Sequence, residues 1–293
     1  MEFKTGAELL DFCEKQGCAI YQAIVLQEKT MYEKKDVEIY EQMKINLKVM
    51  RDSVKNVLEG KEVSRGQIIG GEAKKLRKRY KTEIPVCGMT MAKAISYALA
   101  TMETNATMGK IVAAPTAGSC GILPAILLSI ENTHQISEQL LLNGLLTAGA
   151  IGTIIAKNAT LSGAEGGCQA EVGSASAMGA AAIIEMMGGT PKQALDGAAI
   201  ALKNLMGLIC DPIAGLVEAP CSKRNAIGTA NALISAEMAL AGIESVIPFD
   251  EVVDAMFQVG RMMPCTLRET AEGGVAATPT GKQIKQQIFQ KHL

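Results

Sequence analysis

Tryptophan is absent from this 293-residue chain, and phenylalanine and tyrosine bring the aromatic share to only 3%. No excess of either charge is present: 29 Lys and Arg stand against 30 Asp and Glu, a net charge of −1. A near-neutral chain with few aromatics has no general attraction for nucleic acid or for anionic membranes. Only two histidines occur, His134 and His292, and neither lies in a motif. The opening residues, Met-Glu-Phe-Lys-Thr-Gly-Ala-Glu, contain no positive region leading into an apolar stretch, so no secretory signal is expected. The eight cysteines are therefore expected to be reduced thiols of a cytoplasmic protein, some of them ligands, and not a secreted disulfide framework. Strand-like alternation is scarce as well, which leaves an all-α, mostly helical fold.

What the sequence does contain is small and apolar. It is 48% hydrophobic, with 29 glycines and 16 methionines. Small residues let helices approach closely, and methionine fills irregular gaps between them. Residues 1–85 differ, with 17 Lys and Arg and 14 Asp and Glu. The expected organisation is a charged helical appendage over 1–85 and a helical core over 86–293. Thr5-Gly-Ala-Glu8 reads as a capping box opening a helix to about residue 28. Tyr40, Met43, Leu47, Met50, Val54 and Val57 recur at steps of three and four, a stripe that either docks on the chain's own core or meets a partner. The basic run from Lys74 to Lys81 reads as a solvated helix face. Later helices are expected at about 90–104, 121–132, 137–157, 169–187, 191–207, 223–241 and 249–262. Leu140–Ala156 is nearly all apolar, but Asn143, Thr147, Thr153 and three glycines interrupt it. It reads as a buried core helix and not as a membrane span.

Three glycine-punctuated segments carry the candidate chemistry. The first runs from Asn105 to Gly121 through Ala114-Pro-Thr-Ala-Gly-Ser-Cys120, and its free backbone N–H groups suit a carboxylate. Alone it is no more telling than an ordinary loop. The second, Ser162-Gly-Ala-Glu-Gly-Gly-Cys168-Gln-Ala-Glu171, puts a cysteine after a flexible run at a helix start, where the helix dipole favours a thiolate. A buried, inert cysteine explains it as well. The third holds Cys210 and Cys221, 42 and then 11 residues further on, in a loop interrupted by prolines. Zinc sites favour closer pairs, so this spacing speaks against zinc without naming another metal.

Together these segments resemble the α-chain of iron–sulfur L-serine dehydratase. The likeness runs through Ala114–Gly118, Ser162-Gly-Ala, Gly167–Gly173, Cys210-Asp-Pro, Gly215-Leu-Val, Pro220-Cys221, Arg224-Asn-Ala226 and Arg268-Glu-Thr270. It implies a 4Fe–4S cluster held by Cys168, Cys210 and Cys221, and dehydration and deamination of L-serine in amino-acid catabolism. Single-chain relatives add a domain with a Ser-His-Thr motif that is missing here, which implies a separate β-chain as partner. They also end in a cysteine that can reach the cluster; Gly281 stands about at that place. Cys13, Cys18, Cys87 and Cys265 are expected to be non-ligands, with Cys120 the plausible intruder.

Three thiolates would leave one iron open as a Lewis acid for the substrate hydroxyl. The general base stays undecided between Lys110, a carboxylate and a group on the β-chain, while His134 and His292 read as surface residues. Thr116, Gly118 and Ser119 are the candidates for the substrate carboxylate, and Glu171 for orienting the ligands. Two rivals remain: a pyridoxal-phosphate lyase, which needs an α/β fold, and a cluster-bearing redox sensor without catalysis.

Overall fold

The computed structural model describes residues 2–60 and 66–290; His292 lies outside them. Among the described residues the architecture is all-α, without a β-strand. Its helices are α1 (Gly6–Gln16), α2 (Ile20–Tyr32), α3 (Asp36–Glu59), α4 (Glu72–Thr82), α5 (Gly88–Ala106), α6 (Ile122–His134) and α7 (Glu138–Asn158). There follow α8 (Gly163–Gly166), α9 (Ser174–Met186), α10 (Pro191–Asn204), α11 (Cys221–Leu240), α12 (Phe249–Met262) and α13 (Pro279–Gln290).

The first expected helix is two. The Thr5 hydroxyl accepts from the Glu8 backbone N–H at 3.1 Å, but Glu8 reaches back to the Lys4 N–H and not to that of Thr5. The helix then stops at Gly17, whose left-handed backbone at φ 62 costs glycine nothing. The stripe on α3 docks on the chain itself: Leu47, Met50, Val54 and Val57 are buried, and α3 packs against α5 and α7. Arg51 secures it from the solvent side, with 2.6 Å ion pairs to Glu131 on α6 and Glu138 on α7.

Helix α9 lies at the centre, contacting α6, α7, α10 and α11. Twelve of its thirteen residues are buried, so it shows no polar face. Leu9, Cys13, Leu47 and Met50 from the N-terminal helices share one buried cluster with Leu123, Ile151, Ala177 and Leu202. Among the described residues α7 is the one helix long and apolar enough to cross a membrane, yet 72% of its apolar window is buried inside the protein. Helices α4 and α13 add amphipathic cover; α13 was not expected from the sequence. Lys75, Lys78, Arg79 and Lys81 on α4 face solvent, as the charge run suggests.

Candidate active site and metal centre

Cys168 follows Gly167, a left-handed residue at φ 76. Its helix does not begin as an α-helix. Gln169–Gly173 forms a π turn that runs on into α9, a wide turn often found at functional sites. Gln169 holds this turn in place. Its N–H donates to the Leu208 carbonyl at 2.9 Å, its Oε1 accepts from the Gly207 N–H at 2.8 Å, and its Nε2 donates to the Met256 carbonyl at 2.9 Å. Cys210 sits in the loop after α10, clamped by the C-terminal segment. Its N–H donates to the Leu267 carbonyl at 2.8 Å and its carbonyl accepts from the Glu269 N–H at 2.7 Å, a short parallel bridge opposite Arg268. Cys221 is the first residue of α11 and not part of the loop. One turn on, Asn225 donates to the carbonyls of Cys221 at 2.9 Å and Gly118 at 2.8 Å, while its Oδ1 accepts from the Gly121 N–H at 2.9 Å. That residue ties the first glycine segment to the third.

The folded chain brings the Cys168 and Cys210 thiols and a Glu171 carboxylate oxygen within 4.8 Å of one another, all three buried. Thr116 Oγ1 donates to Glu171 Oε1 at 2.7 Å, and the Cys210 thiol reaches Glu171 Oε2 at 3.8 Å. Two glycines make room for this carboxylate. A Cβ at Gly118 would stand 2.8 Å from Glu171 Oε1, and one at Gly163 would stand 2.5 Å from Oε2 and 3.1 Å from the Cys210 sulfur.

Every resolved shift in this group opposes negative charge. Burial raises the Glu171 carboxyl, only partly countered by the Thr116 hydrogen bond, and the charge of Glu269 adds to the rise. The Cys210 thiol is pushed up by its hydrogen bond to Cys168 and then by burial. Burial pushes Cys221 up to about 12, with the charges of Cys168 and Glu171 adding to it. Cys221 thus stands close enough to feel that pair, though outside the 4.8 Å trio. Soft sulfur donors and a carboxylate whose anionic forms burial disfavours suit a metal cation, which would supply the missing positive charge.

The other expected residues fall as follows. The Thr116 hydroxyl is engaged by Glu171 and lies 3.2 Å from the Ser119 hydroxyl, which is fully buried. Lys110 is exposed after α5 and forms no hydrogen bond or ion pair among the described residues. Cys120 is fully buried, donates to Met102 Sδ at 3.7 Å and is pushed up to about 12 by burial; it shares a buried cluster with Cys221 and is not one of the trio. Cys13 is buried, whereas Cys87 and Cys265 are exposed. His134 is exposed at the end of α6. Gly281 lies in α13, where a Cβ would stand 2.5 Å from the Val275 carbonyl oxygen, too tight for a cysteine as the backbone runs.

Two buried acids, neither of them singled out by sequence reasoning as a functional residue, fix the Cys210–Cys221 loop. Asp211, 1% exposed, pairs with Arg224 at 2.6 Å and accepts from the Val275 N–H at 2.6 Å. Glu218 accepts from the N–H groups of Gln67, Ile68 and Ile69 at 2.7–3.0 Å, pinning the loop to the segment before α4. Neither acid sits at a helical or strand period, so only its loop position beside Cys210 or before Cys221 could have marked it.

Among the described residues, thirteen helices around a buried thiol and carboxylate trio define an all-α protein with a candidate metal centre in its core. The family described as "Serine dehydratase alpha chain" matches residues 15–276, and the chain belongs to it. It is 48% identical to the "Probable L-serine dehydratase, alpha chain" of Bacillus subtilis over 98% of this chain and 95% of that one. It is 46% identical to the "L-serine dehydratase, alpha chain" of Peptoniphilus asaccharolyticus over 98% of each. A longer relative, "L-serine dehydratase 1" of Escherichia coli, is 34% identical over 94% of this chain but only 61% of its own length.

Proposed function

We propose that this chain is the catalytic subunit of a cytoplasmic L-serine ammonia-lyase. L-Serine loses water to give aminoacrylate, which hydrolyses to pyruvate and ammonia. The observation that carries the reading is the convergence of Cys168, Cys210 and Glu171, with Cys221 beside them, in a chain 46–48% identical to L-serine dehydratase alpha chains. A 4Fe–4S cluster held by the thiolates of Cys168, Cys210 and Cys221 would supply an open iron as Lewis acid toward the serine hydroxyl. A multi-iron cluster is wider than a single ion, so a third thiol standing outside the closest trio fits it.

The chain's own residues do the rest. Glu171 stands beside Cys210 with a carboxyl that burial raises, and Thr116 fixes its orientation. Ser119 and the backbone of Gly118 line the same corner. Lys110 is a candidate base from the solvent side; a β-chain group is the other. The relatives' designation as alpha chains supports a second chain, and the longer Escherichia coli relative supports a further domain that completes the enzyme.

A pyridoxal-phosphate lyase is disfavoured because the described residues form no sheet. Anaerobic purification of the chain with its β-chain, followed by iron and sulfide analysis and a pyruvate assay, tests the proposal. A brown protein that makes pyruvate from L-serine is expected. An iron-loaded protein without turnover would leave only the sensor reading, and an active protein free of iron and sulfide would refute the cluster.

A further inference from the structure

Two arginines flank the thiol pair, and they are not equivalent. Arg224 is committed: Nη2 pairs with Asp211 at 2.6 Å and Nη1 donates to the Ile209 carbonyl at 2.8 Å. Arg268 is not committed. Its single side-chain hydrogen bond among the described residues runs from Nη1 to the Glu165 carbonyl at a long 3.3 Å. Its Nε–H is buried and meets no acceptor. An unsatisfied buried donor on a guanidinium is costly, and native proteins keep one where something else supplies the acceptor.

The backbone aims this donor at the site. Arg268 lies directly opposite Cys210 in their parallel bridge, which sets the two side chains on the same side of the pair. Its contact at Glu165 belongs to α8, whose first residue, Gly163, abuts Glu171 and the Cys210 sulfur. The following residues hold this placement in an uncommon conformation, with Glu269 at φ 64 and Ala271 at φ 57. Such backbone persists where the surroundings enforce it, here through the Glu269 N–H bond to the Cys210 carbonyl.

We infer that Arg268 receives the carboxylate of the amino-acid substrate, through its unfilled Nε–H and the adjoining Nη2 edge, and so places the β-hydroxyl toward the thiol-bound centre. A guanidinium edge matches a carboxylate with two parallel hydrogen bonds, and a half-buried site strengthens both. Thr116, by contrast, already gives its proton to Glu171. This inference rests on the serine ammonia-lyase reading and adds the residue that selects an α-amino acid.

The test compares wild-type holoenzyme with R268Q and R268K. Iron and sulfide content are measured alongside steady-state kinetics on L-serine and competitive inhibition by ethanolamine, which keeps the amine and hydroxyl but lacks the carboxylate. R268Q is expected to retain iron and raise KM about 100-fold, with a smaller change in kcat, the range that two charge-assisted hydrogen bonds cover. R268K should recover part of the loss, and ethanolamine should inhibit R268Q as well as wild type. An unchanged KM, or an equal loss of serine and ethanolamine binding at full iron content, overturns the inference. If R268Q loses iron, R268K decides: a raised KM with iron retained supports the assignment, and an unchanged KM overturns it. A wild-type enzyme that makes no pyruvate from L-serine would instead refute the activity itself.

Discussion

Asp211 and Arg224 meet at 2.6 Å in a pair whose carboxylate is 1% exposed, joining the residue after Cys210 to the helix that Cys221 opens. Breaking such a pair from one side leaves a buried charge without compensation. D211A is therefore expected to lower the unfolding free energy by about 3 kcal/mol. Urea unfolding of the metal-free chain measures this. A loss under about 0.5 kcal/mol, the level of an ordinary surface substitution, would show that the loop is held by its other contacts.

The cysteines should divide sharply. C168S, C210S and C221S are each expected to abolish iron binding and pyruvate formation. C87S and C265S, at exposed positions, should leave both within about twofold, as should C13A, where the thiol acts as a small apolar group. Iron analysis of the six variants purified without oxygen separates the sets. Full iron in C221S would leave the cluster without its third thiolate.

The glycine facing Glu171 is a steric test of that carboxylate. A methyl at Gly163 would fall 2.5 Å from Glu171 Oε2 and 3.1 Å from the Cys210 sulfur, so the acid or the backbone must move. G163A is expected to cut kcat at least about 100-fold, since small displacements at a reacting centre are costly. Its melting temperature should fall much less than in D211A. Equal activity in G163A and wild type would mean that Glu171 need not hold its position.

Glu103 makes a pH prediction away from the metal centre. Its carboxyl is 1% exposed, accepts from the Ala73 N–H at 2.8 Å to cap α4, and is raised in pKa by burial despite that bond. A carboxyl raised on folding binds more protons in the native than in the unfolded state. Its contribution is therefore full below the ordinary value of 4.5 and is lost as pH climbs through the raised one. E103Q keeps a side-chain oxygen acceptor and cannot ionise. Its stability relative to wild type should rise from pH 4.5 toward neutrality, read from melting temperatures across that range. A difference that stays flat, or falls, would contradict the assignment.

The helical class and most helix positions were legible in the sequence, because a 3.6-residue apolar period is local and repeats through each segment. Glycine runs and loop prolines drew attention to Cys168, Cys210 and Cys221, but spacing alone did not make them ligands; the resemblance to the serine dehydratase α-chain joined them into one set with Glu171. The sequence did not show that Gln169–Gly173 winds as a π turn, since Gln169 is held there by backbone groups of Gly207, Leu208 and Met256. Nor did it pair Asp211 with Arg224, or leave any sign that Arg268 would lie opposite Cys210 with a donor unfilled. Those relationships are made between segments far apart in the chain, where no period connects the residues. Only close packing of α9, α10 and α11 with the C-terminal turn brings them within hydrogen-bonding distance.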